Sequence, residues 1–316
     1  MGSDHASILA DLPIAEVVAW CDTNPAVAGR SKGVPVMSDI SELLDSVQLD
    51  AIFVCTRPES HREIVEAAIN AGLWVFCEKP VTAELADADR LVEIGEETGR
   101  LFIGHVLRFD PDYRAVEAAV SNGRIGRVVS MALRRSVPDF EGRVLASRTS
   151  LPVEVAVHDL DVVRWIGGEV SRVFGLAARM GISSDRSIDA VAAVLELDSG
   201  AVAVVETTWV TASASGHASD YRLAVFGTEG SAYAELRHPP VGIFARGVPE
   251  FPRTGWISEV AGHLTGVVRA EDEPFLGMVL GDPNPWPCTV ADARAALALA
   301  LAVDASVAAG APFAPD

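Results

Sequence analysis

The fold of this chain is decided by the stretch Trp74-Val75-Phe76-Cys77-Glu78-Lys79-Pro80, in which an apolar run ends in a carboxylate, an amine and a proline. Proline fixes its own φ and biases the residue before it towards extended geometry. The stretch therefore predicts a buried strand that holds Lys79 at its end and does not continue as a helix.

Short apolar runs rich in β-branched residues alternate with segments of helical spacing between residues 14 and 103. The runs are 17–21, 51–55, 73–77 and 101–103, and the helical segments are 61–71 and 83–98. Gly72 and Gly99 stand where C-terminal caps of the two helices are expected. This order of strands and helices is typical of a doubly wound parallel sheet.

After Pro111 the strand-like runs become longer and alternate between apolar and polar residues. They cover 128–134, 170–179, 190–197, 201–209, 221–226 and 231–236, with helices expected over 113–120 and 154–166. Turns at 198–200 and 227–230 predict hairpins, and therefore an α+β domain with an open, mostly antiparallel sheet. We expect one domain over 1–108 and a second over 109–316. Two such sheets packed face to face would make a homodimer or homotetramer.

Composition restricts the partners. The 316 residues carry 44 acidic and 25 basic side chains, a formal charge of -19, which disfavours nucleic acid and anionic membrane surfaces. The four cysteines lack metal-ligand spacing and are interpreted as buried thiols of a reducing compartment. We predict no metal site, a cytoplasmic location because no signal peptide is visible, and a packed helix for the apolar tract 290–309, which contains charged residues.

Asp22 closes the first visible strand and follows Gly2 by 20 residues. In dinucleotide-binding units this is the distance from the phosphate-binding glycines to the acid that grips the ribose diol. An acid there also repels a 2'-phosphate, which favours NAD over NADP. The neighbouring Thr23 would touch the same ribose. A solvated aspartate at a strand end is the alternative interpretation.

The segment Thr56-Arg57-Pro58 follows the next buried strand, and His61 lies in the first turn of the helix after it. Ligands of open α/β sheets collect at the carboxyl ends of strands, so these residues are candidates for contacting a cofactor. Alternatively, Thr56 is a helix cap, Arg57 a solvated charge and His61 a surface histidine.

Two groups could carry acid–base chemistry. An ammonium at the mouth of a sheet, Lys79, can hydrogen-bond a substrate hydroxyl and stabilise the alkoxide that precedes hydride loss. Glu154 and His158 are four residues apart on a predicted helix, with Asp161 further along the same stripe, and a carboxylate beside an imidazole orients it and raises its basicity. A surface lysine and an ordinary polar helix face are the alternatives.

A series of motifs runs along the chain: Asp22, 56–61, Glu78-Lys79-Pro80, Arg108-Phe109-Asp110-Pro111, Gly123-Arg124-Ile125-Gly126, His158-Asp159-Leu160-Asp161 and 226–230. In order and spacing, these motifs together resemble those of the Gfo/Idh/MocA oxidoreductases, the group of glucose-fructose oxidoreductase and inositol dehydrogenase.

This resemblance implies a Rossmann domain that binds NAD(P) and a second domain that supports the substrate. Lys79 would contact substrate and nicotinamide ribose, with Glu78 beside it, and His158 would take the hydroxyl proton as hydride leaves. Glu154 stands where the family usually has an aspartate, whose side chain is one methylene shorter than that of glutamate. Arg108 and Asp161 are further candidates for binding the substrate.

The function implied is NAD-dependent oxidation of a secondary hydroxyl of a sugar, inositol or related polyol. Two alternatives stay open. The first is a sensor or scaffold that has lost its grip on the cofactor, and the second is a lyase or glycosidase that uses NAD transiently.

The family opens with a strand and a Gly-x-Gly-x-x-Gly turn, whereas Met1-Gly2-Ser3-Asp4-His5-Ala6 resembles the end of that turn. In the doubly wound order the first strand is central, so its neighbours would lose a partner. Either an internal methionine has been taken as the start, or the chain is shorter than its relatives and binds NAD weakly.

Overall fold

The computed structural model describes residues 1–24, 26, 29, 31, 33–182, 188–212, 219–237, 255–282 and 286–315. The chain divides into two compact units. The first unit contains Met1–Val106 and Gly255–Arg294, and the second contains Leu107–Thr254 and Ala295–Asp316.

The first unit follows the expected alternation. Its elements up to Val106 are α1 (Gly2–Asp11), β1 (Trp20–Cys21), β2 (Val36–Met37), α2 (Ile40–Ser46), β3 (Ala51–Val54), α3 (His61–Asn70), β4 (Trp74–Glu78), α4 (Leu85–Thr98) and β5 (Leu101–Gly104). Gly72 and Gly99 have φ of 84° and 62°, the left-handed region expected after a helix. All pairs among these strands are parallel.

The strands of the first unit form two separate sheets. One contains β1 and β2, and the other has the order β3-β4-β5. Within the described ranges no ladder joins β1 to β3, which are the two strands that a central strand would separate in the doubly wound order. The edge strand β3 is mostly half-buried, whereas Val75 to Glu78 of β4 and all of β5 are buried. The strand that carries Lys79 is thus the middle strand of the larger sheet.

Residues 255–294 belong to the first unit, although the sequence analysis assigned them to the second domain. They contain β12 (Ser258–Val260), β13 (His263–Thr265), α8 (Val267–Val279) and the start of the last helix. Phe275 of α8 is fully buried in an aromatic cluster, with ring centroids 5.1 Å from Phe53, 5.7 Å from Phe76 and 5.6 Å from Phe102. This cluster forms the apolar core between α8 and the larger sheet.

The second unit is built on one six-stranded sheet with the order β11-β10-β6-β9-β8-β7. Its strands are β6 (Val128–Pro138), β7 (Val170–Ala178), β8 (Ala190–Leu197), β9 (Val202–Thr211), β10 (Asp220–Gly227) and β11 (Ser231–Arg237). All pairs are antiparallel except β6 with β9, and both predicted hairpins are present. The prediction of a Rossmann unit followed by an open, mostly antiparallel sheet is therefore confirmed.

The helices of the second unit are α5 (Pro111–Ser121), α6 (Asp139–Leu145), a π-helical turn (Pro152–Ala156) and α7 (Val157–Gly167). The last helix of the chain, α9 (Val290–Ala309), ends in this unit. The predicted helix over 154–166 thus begins with a π-helical turn, a distortion that often occurs at functional sites. Among the described residues, no helix is long and apolar enough to cross a membrane.

The buried position of Phe275 generates a prediction about the first unit. Phe275→Ala removes a side chain with zero exposure from the aromatic cluster, so we expect it to lower the free energy of unfolding by about 3–5 kcal/mol. Leu280→Ala, at a residue 67% exposed just after α8, is the matched control and should change it by less than about 0.5 kcal/mol. Urea unfolding of the three proteins measures both values, and equal losses would contradict the assignment of α8 to this core.

Candidate active site

The turn after β4 presents Lys79 at the carboxyl end of the larger sheet. Lys79 is half-buried, and the residues on both sides of it, Glu78 and Pro80, are buried. The backbone N–H of Lys79 donates to Oε2 of Glu78 over 3.1 Å. The Lys79-Pro80 peptide bond is cis. The side chain of Glu78 therefore folds back onto the turn, which brings its carboxylate close to the backbone of the lysine.

The other oxygen of Glu78 is bound by a histidine that sequence reasoning did not identify. His5 of α1 is 1% exposed, and its Nε2 lies 2.9 Å from Oε1 of Glu78. Its Nδ1 lies 2.7 Å from Oδ1 of Asp272 on α8. One imidazole thus bridges two buried carboxylates and connects α1, β4 and α8 within the first unit.

The charges of this cluster determine its protonation. Burial alone would lower the pKa of His5, but the hydrogen bonds and charges of Asp272 and Glu78 raise it to about 10. Burial would raise the pKa of Glu78, yet the hydrogen bond and charge of His5 and the charge of Lys79 lower it. Burial keeps the pKa of Asp272 above its usual value despite the bond from His5. The cluster therefore holds an imidazolium whose firmest counter-ion is Glu78.

Next to this cluster lies Glu271, which is fully buried. Neither carboxyl oxygen of Glu271 has a hydrogen-bond partner among the described residues. Burial and the negative charge of Glu78 raise its pKa well above the usual range. Burial and the neighbouring negative charge thus both favour the neutral form of the Glu271 carboxyl group.

His61, which the sequence analysis offered as a cofactor contact or a surface residue, is neither exposed nor aimed at solvent. It is 1% exposed, and its Nδ1 lies 3.1 Å from the carbonyl oxygen of Pro80 and 3.2 Å from that of Val81. Its Nε2 lies 3.2 Å from the carbonyl oxygen of Thr56. Burial lowers the pKa of His61, although the carbonyl groups oppose this shift. His61 thus joins the turn after β3 to the turn after β4.

The remaining candidate cofactor residues of the first unit lie at strand ends. Asp22 and Thr23 are exposed after β1, and Oδ1 of Asp22 accepts the N–H of Asn24 over 2.8 Å. Thr56 and Arg57 are exposed after β3, whereas Pro58 is buried. The hydroxyl of Thr56 accepts from Ser60 over 2.9 Å, so Thr56 also stabilises the start of α3.

These residues fit a dinucleotide by their chemistry. Asp22 offers carboxylate oxygens suited to a ribose diol, and the exposed Arg57 offers a cation suited to a phosphate. No side-chain hydrogen bond among the described residues caps α1, and Asp4 is the acidic residue of its first turn. Gly2 lies in the first turn of α1, where a side chain would come within 3.5 Å of Cβ of Cys55.

In the second unit, the π-helical turn carries Glu154 and the first turn of α7 carries His158. Glu154 is 4% exposed, and its backbone N–H donates to the carbonyl oxygen of Ser150 over 2.9 Å. His158 is half-buried. The two residues are therefore on successive turns of one continuous helical segment, as their spacing predicted.

Two buried ion pairs hold α7 in place. Arg108 and Asp161, both expected to contact substrate, bind each other through two bonds, Nε to Oδ2 over 2.9 Å and Nη2 to Oδ1 over 2.7 Å. Arg135 binds Asp159 in the same way over 2.8 and 3.0 Å and lies 4.6 Å above the ring of Tyr221. Burial would lower the pKa of Arg135, but Asp159 raises it. Two residues that follow His158 on α7, at one and three positions further along, are thus anchored by paired charges.

Patterns in the sequence did not indicate His5, Asp272, Arg135 or the fixed position of Asp159. His5 lies three residues after Gly2, and a single histidine in a helix has no pattern that predicts burial. The Arg135–Asp159 pair joins positions 24 residues apart, so no local spacing indicated it. A buried acidic pair on α8 was signalled only by Glu271 and Asp272 standing within an otherwise apolar helical face.

The chain is similar in sequence to two family models and to known relatives. Residues 1–105 match the family described as oxidoreductase family, NAD-binding Rossmann fold, and residues 113–233 match the GFO/IDH/MocA C-terminal domain. Myo-inositol dehydrogenase Hyg17 of Streptomyces leeuwenhoekii is 31% identical over 310 residues, which cover 93% of this chain and 91% of the relative. Inositol 2-dehydrogenase 2 of Saccharopolyspora erythraea is 32% identical over 256 residues, covering 78% and 73%.

Among solved structures, scyllo-inositol dehydrogenase from Lactobacillus casei, crystallised with NAD(H) and scyllo-inositol, aligns with a TM-score of 0.84 over 99% of this chain and 95% of that one. At 20% identity this similarity concerns the fold alone. The chain belongs to the Gfo/Idh/MocA oxidoreductase family, as the resemblance implied. It is an oxidoreductase with an NAD-binding Rossmann unit, of the kind that acts on CH–OH groups.

The raised pKa of His5 predicts how stability depends on pH. Because the pKa is about 10 in the folded protein and 6.5 without its partners, the stabilisation is complete below pH 6.5 and is lost as the pH rises towards 10. Between pH 6.5 and 8.5 we expect the unfolding free energy of the wild type to fall more steeply than that of His5→Gln, by roughly 1 kcal/mol per pH unit.

Urea unfolding at three pH values in this window measures the difference. His263→Gln, in which a mostly exposed histidine of the same unit is replaced, is the matched control and should keep the wild-type slope. Identical slopes for wild type and His5→Gln would show that His5 is not held as an imidazolium.

Proposed function

We propose that this protein oxidises a secondary hydroxyl of an inositol, sugar or related polyol with NAD as hydride acceptor. The observation that supports this most directly is the presence of a lysine at position 79. The chain contains 25 basic residues, of which only Lys32 and Lys79 are lysines. A chain that otherwise uses mostly arginine has a lysine at the end of the buried middle strand β4, where a compact ammonium can serve as a point charge for a hydroxyl oxygen.

In this proposal the residues of the chain have separate tasks. Lys79 donates a hydrogen bond to the reacting hydroxyl and stabilises the negative charge that develops on its oxygen. His158 accepts the hydroxyl proton, and Glu154 orients the imidazole and raises its basicity. NAD, when bound, supplies the acceptor for the hydride.

We assign dinucleotide binding to the first unit, which includes residues 255–294, and support of the substrate to the second unit. Asp22 and Thr23 are the proposed ribose contacts, and the acid favours NAD over NADP because it repels a 2'-phosphate. Gly2, Thr56, Arg57, Pro58 and Glu78 are the other proposed cofactor residues. His61 supports the site through the two turns it joins, and its burial argues for an indirect role.

The proposed substrate class rests on the relatives, several of which are named inositol dehydrogenases. Arg108 and Asp161 were expected to bind the substrate directly. Because each side chain bonds the other through two polar atoms, we propose that the pair fixes the position of α7, which carries His158. The pair then contributes to substrate binding through that helix.

Replacing Lys79 by Met tests the proposed reaction. Methionine keeps an unbranched chain without the ammonium, so we expect kcat/KM for myo-inositol and NAD to fall by about 10³-fold or more, with the fold preserved. Arg90→Met removes a half-exposed cation of the same unit and should leave activity unchanged.

NADH formation, followed by absorbance, is the measured quantity because it also separates the alternatives. Net NADH in proportion to substrate consumed supports a dehydrogenase, whereas turnover without net NADH indicates the lyase or glycosidase reaction. No NAD binding and no turnover with a panel of polyols indicates the sensor or scaffold.

We also propose that the open sheet of the second unit pairs with a second copy of the chain. Its outer face carries an apolar stripe across all six strands, in which each residue pairs with the next. The stripe consists of Tyr233, Ala224, Ala132, Val204, Val194 and Phe174. It is flanked by the ion pairs Arg134–Glu206 and Arg172–Glu196, which cross neighbouring strands on the same face. An apolar stripe with a charged rim is typical of an interface.

Val204 lies near the centre of this stripe and is 41% exposed. Val204→Glu would bury an unpaired charge in the paired sheets, so we expect a dimer or tetramer to dissociate to monomers. Leu280→Glu, at an exposed apolar residue of the first unit, is the matched control and should keep the wild-type mass. Light scattering measures the masses, and a monomeric wild type would contradict the proposal.

A further inference from the structure

The turn that carries Lys79 is held on both sides by buried histidines, and neither belongs to the residues proposed to react. His5 acts on the residue before the lysine and His61 on the residues after it. Both are 1% exposed, and both come from elements other than the strand that carries the lysine. Each of the two buried imidazoles contacts a residue of the turn that carries the half-buried Lys79, and a buried polar side chain needs such defined partners.

On the amino-terminal side, the contacts form a continuous chain. Asp272 binds Nδ1 of His5, Nε2 of His5 binds Oε1 of Glu78, and Oε2 of Glu78 accepts the backbone N–H of Lys79. Every member except Lys79 is buried. The position of the lysine backbone is thus determined by a hydrogen-bonded series that begins on α8 and passes through α1.

On the carboxyl-terminal side, His61 contacts the carbonyl oxygens of Pro80 and Val81 with one nitrogen and that of Thr56 with the other. Carbonyl oxygens only accept hydrogen bonds, and imidazole carries an N–H in either protonation state. The ring therefore always offers a donor to at least one of the two turns. Loss of the ring would leave the carbonyl groups of at least one turn without this donor.

We propose that His5 and His61 are positioning residues that hold the backbone of Lys79 from both sides. His5 does so through the carboxylate of Glu78, and His61 does so through the carbonyl groups of Pro80 and Val81. The role of Lys79 in the reaction rests on the proposed function, whereas its backbone geometry can be measured without substrate or cofactor.

The lysine content of the chain makes a direct test possible. Growth on ¹⁵N-lysine labels two backbone amides, those of Lys32 and Lys79, and the variant Lys32→Arg assigns the two signals. The measured quantity is the hydrogen-exchange rate of the Lys79 amide, which donates to Glu78. The proteins compared are the wild type, His5→Gln, His61→Gln and the control His263→Gln, all at a temperature well below their unfolding midpoints.

We expect the Lys79 amide to exchange at least tenfold faster in His5→Gln and in His61→Gln and at the wild-type rate in His263→Gln. Wild-type exchange in both variants, with circular dichroism showing the native fold, would overturn the proposal. Should His5→Gln fail to fold, Asp272→Asn keeps the shape of the carboxyl group and removes one counter-charge of His5. That variant should still accelerate exchange, and an unchanged rate would count against His5.

A kinetic comparison separates positioning from general stability. Relative to wild type, we expect kcat for myo-inositol to fall about 10- to 100-fold in both histidine variants, while the Kd for NAD, measured by calorimetry, changes less than about threefold. A loss confined to NAD affinity would contradict the positioning role. If the Lys79 amide exchanges faster in the histidine variants but Lys79→Met keeps full activity, the proposed reaction is refuted. The positioning role of His5 and His61 is still supported in that case.

Discussion

The hydrogen bond between His5 and Glu78 is the interaction on which the first unit depends. A glutamate in the middle strand of a buried sheet is tolerable only if its charge is compensated, and the imidazolium of His5 provides that compensation. Because Asp272 holds the other side of the ring, α1 and α8 are both tied to the strand that carries Lys79. The apolar aromatic cluster beside it supplies the burial that keeps these charges away from water.

In the second unit, buried charges are likewise compensated by partners of opposite charge. Its helix α7 carries three charged or titratable side chains within four residues, two of which are almost inaccessible to solvent. Each buried aspartate has an arginine in bidentate contact, a geometry that satisfies both carboxylate oxygens at once. The result is a helix whose orientation is fixed by directional bonds, with the half-buried His158 directly before the two anchored aspartates.

Local patterns in the sequence were sufficient for the architecture. The alternation of β-branched runs with helical segments predicted the parallel strands, and Gly72 and Gly99 marked helix ends because only glycine accepts a left-handed backbone without strain. The hairpins of the second sheet were likewise predicted from the turn residues at 198–200 and 227–230. Strand lengths were less accurate: the expected strand 17–21 is reduced to Trp20–Cys21, since neither its backbone nor its side chains find a full set of neighbours.

The return of residues 255–294 to the first unit could not be predicted, because an amphipathic helix shows which face is apolar but not which core receives it. His61 was offered as a surface residue because two of its partners, the carbonyl oxygens of Pro80 and Val81, come from a distant turn that no local pattern brings near it.

The sequence by itself determined the order of elements, the family and the placement of Lys79 at a strand end, because these follow from periodicity, turn chemistry and motif spacing within short stretches. Only the tertiary structure decided which charges are neutralised by which partners. His5 meets Glu78 and Asp272 from positions 73 and 267 residues away, and Arg108 meets Asp161 across 53. A buried charge is costly unless an opposite charge lies beside it, so these residues need each other as partners. That need arises only once distant segments have been brought together.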